Sequence, residues 1–347
     1  MVSSADLVAN LADPGGGLKL IFELTGVCNF SCTHCIREEG ERGFLSVALV
    51  QRVLEETARY QNIGLVAFTG GEPTLHPEFA ALLALVARHG YRFAFVTNGW
   101  RFAERTFDQL QPHRENVANV TFSIDGATEA THDTLRRRKG SFRRLMHAVT
   151  LCRFNGIPVH VNMVVTSANR GELHAMAVLA SRLGVEALAF GHCQPTPHAL
   201  ATGLALGATE RRRVENEVAD LQQLSRMPIL LAGDHYTDSR FQQCPQLQMR
   251  ELNIDHKGRL TVCCMLSGFR GGAADTDVVA DLGEMSFFDA HRRLVAEIAS
   301  VNLEKISRVE DHEFAEKDHF LCTHCLERYH KLPGGGARPP LPVVNPT

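Results

Sequence analysis

Between residues 18 and 224 the chain repeats one pattern six times, a short apolar run followed by a longer stretch of helical period. The runs are Leu18 to Leu24, Leu65 to Thr69, Phe93 to Thr97, Val120 to Ile124, Val159 to Val165 and Ala187 to Gly191. Between them, residues such as Phe142, Leu145, Met146, Val149 and Cys152 fall on one face of a helix. Strands that alternate with helices predict an α/β fold with a parallel sheet and right-handed crossovers. The sixth helix is expected over Thr209 to Leu224, with Thr209 as its cap. A closed barrel would need two further units, so an incomplete barrel with a lateral opening is expected.

The cysteines say what such a barrel would carry. Cys28, Cys32 and Cys35 follow the first strand directly in a CxxxCxxC spacing, at the strand end where barrel enzymes place their active sites. Soft thiolates select iron-sulfur clusters or zinc, and three of them can hold three irons of a [4Fe-4S] cluster while the fourth stays open. A structural zinc site is the plainer alternative for a lone motif.

The later strand ends bear on that choice. The second ends in Thr69-Gly70-Gly71-Glu72-Pro73, where glycines allow close backbone approach and Glu72 supplies a carboxylate; by itself this would be an ordinary turn. The third ends in Thr97-Asn98-Gly99 and the fourth in Ser123-Ile124-Asp125-Gly126, followed by His132-Asp133-Thr134-Leu135-Arg136 and Gly140-Ser141-Phe142. Hydroxyl and carboxylate groups of this kind suit a sugar diol, and a guanidinium can grip a carboxylate with two bonds.

Taken together, these stretches resemble the radical S-adenosylmethionine (SAM) superfamily. The resemblance implies a partial (β/α)6 TIM-like barrel, with a [4Fe-4S] cluster on Cys28, Cys32 and Cys35 whose open iron is chelated by the amino and carboxylate groups of SAM. It assigns the SAM ammonium to Gly70, Gly71 and Glu72, and the mouth of the site to Thr97 and Asn98. Ser123 and Asp125 would lie near the ribose, Arg136 at the carboxylate, and His34 and Asn162 near the adenine. For Arg136 the alternative is a solvated cation in the run Arg136 to Lys139, and for Asn162 an inward structural amide.

The C-terminal third carries a second cysteine set. Cys244 precedes Leu252 to Cys263, which reads as two strands joined by a turn at Gly258, and Cys322 and Cys325 follow as CxxC. Four thiolates in this order satisfy a structural zinc or a cluster equally well by count. The hairpin resembles the SPASM/twitch extensions of radical SAM enzymes, which implies a second, auxiliary [4Fe-4S] cluster on Cys244, Cys263, Cys322 and Cys325 in a short α+β domain. Cys264 stands beside Cys263 as the other ligand choice. Cys152 reads as core, and Cys193, just past the sixth strand, as a candidate hydrogen donor to a substrate radical or a packing residue.

The expected divisions are a lead over 1–17, a barrel over 18–235, a twitch/SPASM-like domain over 236–332 and a flexible tail over 333–347. Among the 347 residues 44% are hydrophobic and 22% charged, and ten are cysteines in a chain with no secretory signal pattern. Metal ligation in a cytoplasmic protein is therefore expected over disulfides. No long apolar run suggests a membrane span, and a net charge of −3 argues against nucleic acid.

The resemblance implies reductive cleavage of SAM to a 5′-deoxyadenosyl radical that removes a substrate hydrogen atom, with electrons from a donor such as flavodoxin or ferredoxin. Oxidation of a small molecule or sugar is the first expectation. A peptide maturase is the alternative, although the 17 residues ahead of the first strand are too short for a leader-binding domain. A non-catalytic iron-sulfur scaffold is the remote third reading.

Overall fold

The structure is a computed structural model that describes residues 17–239, 244–311 and 315–332. The expected tail and residues 1–16 of the expected lead lie outside them. Ten strands form one sheet in the order β10-β9-β8-β1-β2-β3-β4-β5-β6-β7, with β7 and β10 as its two edges. The first six are β1 (Leu18–Thr25), β2 (Ile63–Gly70), β3 (Phe93–Thr97), β4 (Val117–Ser123), β5 (Val159–Val165) and β6 (Ala187–His192). They match the six apolar runs, and consecutive ones pair in parallel.

The helices that cover the outer face include α1 (Val47–Thr57), α2 (Phe79–Arg88), α3 (Glu129–Arg136), α4 (Ser141–Phe154), α5 (Leu173–Leu183) and α6 (Ala208–Leu224). Alternate strand residues such as Phe22, Phe68, Phe95, Phe122 and Phe190 point to that side and are almost wholly buried. Phe79 of α2 meets Phe95 edge-on at 5.4 Å, and each buried aromatic contributes about 1.5–3 kcal/mol. On the inner face Leu65, Ala94 and Ala118, from three neighbouring strands, form a separate small cluster. Small residues there leave room inside the sheet.

Two features go beyond the sequence pattern. A seventh parallel strand, β7 (Ile229–Ala232), pairs with β6, so the parallel run is one strand longer than expected. The C-terminal hairpin, β8 (Glu251–Ile254) and β9 (Arg259–Thr261), turns at Gly258 as expected, with φ of 83° there. Instead of forming a separate sheet, β8 pairs in parallel with β1 through Lys19 to Phe22. β10 (Val278–Asp281) completes that end. The long helix α7 (Phe287–Glu310) is capped by Ser286, whose hydroxyl accepts from Asp289 N at 3.1 Å. It is anchored to α1 where Phe287 N donates to Glu56 at 2.5 Å.

Candidate functional site

The loop from Gly26 to Cys35 leaves the end of β1 and is held from three sides before any ligand is considered. Thr25 Oγ1 accepts from Val27 N at 3.0 Å and donates to Gly43 O at 2.6 Å. The turn after β2 lies directly against it, with Gly71 N donating to Thr25 O at 2.7 Å and Glu72 N to Val27 O at 2.9 Å. A Cβ on Gly71 would stand 2.3 Å from Val27 O, and one on Gly70 2.4 Å from Thr25 O at a φ of 124°. Only glycine permits this approach. On the third side Thr33 N donates to Leu135 O of α3 at 2.9 Å.

Glu72 is 2% exposed and acts first as a clamp. Its Oε1 accepts from Thr74 Oγ1 at 2.6 Å and Thr97 Oγ1 at 2.8 Å, and its Oε2 from Asn98 N at 2.8 Å. Burial lifts its pKa above the usual carboxylate range, and these bonds oppose the lift. Asn98 Nδ2 in turn donates to Asn29 Oδ1 at 2.8 Å, inside the cysteine loop. Thr97 and Asn98 are thus committed to internal bonds. Oε2, with one donor, retains capacity for another partner.

Asp125 forms the second node and is wholly buried. Its Oδ2 lies 3.0 Å from His34 Nε2 and 2.5 Å from Arg136 Nε, and its Oδ1 accepts from Val164 N at 2.9 Å. Burial alone would raise this carboxyl, but Arg136 and His34 hold it well below the usual range. Arg136 is the last residue of α3, while Arg137 turns into the left-handed region at φ 50° and, with Arg138 and Lys139, is exposed. Only Arg136 of the cationic run faces inward, where its Nη1 reaches Cys32 Sγ at 3.6 Å. His132 Nδ1 accepts from Asp125 N at 3.1 Å, and burial pushes its pKa down to about 4.

Around this node stand the other expected residues. Ser123 pairs in register with Asn162 across β4 and β5. Cys193 is 5% exposed and within electrostatic reach of Asp125, and burial pushes its thiol up to about 12. Cys152 is fully buried in the core, as expected. Sequence reasoning missed Trp100, which meets Phe30 of the cysteine loop at 5.7 Å and is flanked by Arg138 and Arg144, each 4.3 Å from its ring. The signal was present as an aromatic directly after Thr97-Asn98-Gly99, near a basic run.

The second cysteine set gathers residues far apart in sequence. Cys322 and Cys325 sit at the start of α8 (Thr323–Arg328), and Cys322 N donates to Asp234 Oδ1 at 2.8 Å. Cys244 and Cys322 lie within electrostatic reach of Cys263, Cys244 and Cys325 within reach of Cys322, and Cys244 within reach of Cys325, which burial pushes up to about 12. The Cys263-Cys264 pair divides. Cys263 has Cys244 and Cys322 within electrostatic reach, whereas Cys264 has Lys19, Arg37, Glu23 and Glu251. A hydrogen bond between the pair lowers the pKa of Cys264 and raises that of Cys263.

Residues 22–180 match the model of the radical SAM superfamily. That segment is a radical SAM domain. The antilisterial bacteriocin subtilosin biosynthesis protein AlbA of Bacillus subtilis (strain 168) is 31% identical over 174 residues, 50% of this chain and 39% of AlbA. The mycofactocin maturase MftC of Mycobacterium ulcerans (strain Agy99) is 34% identical over 168 residues, 48% of this chain and 44% of MftC. The chain therefore spans less than half the length of either relative. Streptococcus suis SuiB bound to S-adenosylmethionine shares the fold with a TM-score of 0.68 at 15% identity, over 82% of this chain and 68% of SuiB. SuiB bound to its precursor peptide SuiA gives 0.65 at 13% identity, over 78% and 64%.

A radical SAM domain takes a [4Fe-4S] cluster and SAM, and the residues present fit both. The thiols are soft donors, and burial raises the pKa of Cys32, so that loading releases its proton. Among the described residues no three His, Cys, Asp or Glu side chains converge as ligands of a single ion do. A four-iron cluster sets its thiolates on separate irons, so the chain has to supply loops carrying the sulfurs rather than one tight coordination sphere. Cys28, Cys35, Gly70 and Gly71 line one cavity of about 580 Å³, in the range of cofactor pockets. His34 Nδ1 and His132 Nε2, both on residues touching Asp125, are buried without a hydrogen-bond partner. Such orphaned groups suit a polar ligand.

Proposed function

We propose that this radical SAM enzyme modifies a peptide substrate, by a crosslink or another oxidation at an unactivated carbon. The observation that carries this reading is the similarity to AlbA and MftC, whose names describe bacteriocin biosynthesis and maturation. It displaces oxidation of a small molecule or sugar, the first expectation from sequence. The sheet supports it, since its β7 and β10 edges do not pair with each other and leave a side entrance for an extended chain.

In this reading Cys28, Cys32 and Cys35 hold the first cluster. The carbonyls of Gly70 and Gly71 and the Oε2 of Glu72 receive the SAM ammonium, and Thr97 and Asn98 keep that carboxylate aimed. Ser123 and Asp125 face the ribose, with His34 and Asn162 beside the adenine and Arg136 at the carboxylate. Bound there, cluster and SAM supply reductive bond cleavage and hydrogen-atom abstraction. The residues' share is to orient and exclude competing donors.

In the proposed auxiliary unit over 236–332, Cys244, Cys263, Cys322 and Cys325 would hold a second cluster, which would supply a one-electron acceptor. A small acidic flavodoxin or ferredoxin is the proposed electron source. Cys193 is the residue for hydrogen return if the outcome is epimerisation.

The test is anaerobic reconstitution followed by reaction with short peptides encoded beside the gene. About eight irons per chain, SAM-dependent 5′-deoxyadenosine and a peptide lighter by two hydrogens are expected. 5′-Deoxyadenosine formation stimulated by an aminosugar or nucleoside and not by any neighbouring peptide would reject the peptide reading.

A further inference from the structure

The two cysteine-bearing segments touch, and one buried ion pair lies at the junction. Directly after Cys35, residues 36–38 run antiparallel to residues 268–270, which follow Cys263 and Cys264 closely. Glu38 N donates to Gly268 O at 3.0 Å and Arg270 N to Ile36 O at 2.8 Å. From the middle of this pairing Arg37 reaches inward. Its Nη2 lies 2.9 Å from Glu23 Oε1 and its Nη1 donates to Ser267 O.

Glu23 is 2% exposed on β1 and is fixed by two further donors, Asn253 Nδ2 at 2.9 Å and Ser267 Oγ at 3.1 Å. Four segments therefore meet in one group: β1, the stretch after the first cysteine set, β8, and the loop after Cys264. The Arg37 guanidinium lies within electrostatic reach of the Cys264 and Cys35 thiols.

We infer that Arg37 is a positioning residue that fixes the two cluster sites relative to each other. The inference rests on the two-cluster reading above. A buried ion pair contributes little net stability, because desolvation offsets its attraction, so its effect here is on geometry. Arg37 lies two residues after the ligand Cys35 and is bonded to the carbonyl of Ser267, four residues after the ligand Cys263, so one side chain ties the two ligand-bearing segments together.

The test is an EPR-monitored redox titration of the reconstituted full chain. Wild type, Arg37→Lys, Arg37→Gln and the double variant Glu23→Gln/Arg37→Gln are compared at equal iron content. The double variant strands no buried charge and keeps the fold available if Arg37→Gln alone is unstable. The spin–spin interaction between the reduced clusters is expected to change in Arg37→Gln and in the double variant, and to stay nearer wild type in Arg37→Lys, which keeps the cation. A spin–spin interaction that matches wild type in Arg37→Gln, or in the double variant where the single one does not fold, overturns the inference alone. Wild-type protein that holds about four irons defeats the two-cluster reading, and the inference with it.

Discussion

The two cysteine sets differ in how far the chain travels to assemble them. Cys28, Cys32 and Cys35 lie within eight residues on one strand-end loop, and that loop is held by the neighbouring strand ends through Gly71, Glu72 and Asn98 and by α3 through Leu135. Cys244, Cys263, Cys322 and Cys325 come from three separate segments, placed by the pairing of β8 with β1 and by the bond from Cys322 N to Asp234. The first set depends on local spacing on a rigid sheet. The second depends on tertiary assembly, so the two should fail in different ways.

The largest effect is expected at the first set. Cys28→Ala should lower 5′-deoxyadenosine formation to the level of cluster-free protein while iron bound at the second set remains; normal cleavage would end the radical SAM assignment of this site. Next, Cys263→Ser should halve the iron content and leave SAM cleavage without substrate intact, whereas Cys264→Ser should keep the full iron complement. Equal iron loss in both variants would mean that Cys264 is also a ligand.

Asp125→Asn tests the node between the cysteine loop and α3. Loss of the carboxylate charge that holds His34 and Arg136 should cost about 10–100-fold in SAM cleavage, the usual cost of removing a group that orients ligands. SAM affinity measured by equilibrium dialysis should fall in parallel.

A smaller effect concerns pH. His132 is buried with a pKa of about 4 against an ordinary 6.5, so the unfolded chain takes up its proton first as pH falls. Its contribution is complete above pH 6.5 and is lost towards pH 4, up to about 3 kcal/mol at 1.36 kcal/mol per unit. His132→Asn should therefore flatten the decline of Tm over that interval; an unchanged slope would place the burden on other groups. Smallest is Trp100→Ala, which removes two cation–π contacts of about 0.5–1 kcal/mol each and should lower Tm without changing iron content.

The same contrast governs what could be read from sequence. The six strands were legible because fully covered parallel strands are continuous apolar runs, and the first cysteine set because its ligands share one loop. β7 escaped notice because four residues, Ile229 to Ala232, carry no period. The pairing of β8 with β1 joins residues more than two hundred positions apart and has no local signature. Glu72 and Asn98 read as ligands from their motifs, yet much of their bonding capacity ties one strand end to the next. Arg136 could not be separated from Arg137 and Arg138 by composition; the end of α3 separates them.

The glycine turn against the first cysteine loop has a consequence for assembly. Protein–protein bonds hold that loop at Thr25, Val27, Asn29 and Thr33. A Cβ on Gly70 or Gly71 would collide with the backbone of Thr25 or Val27 and push the turn away, so the placement of three sulfurs is set in part by two residues that carry no side chain at all.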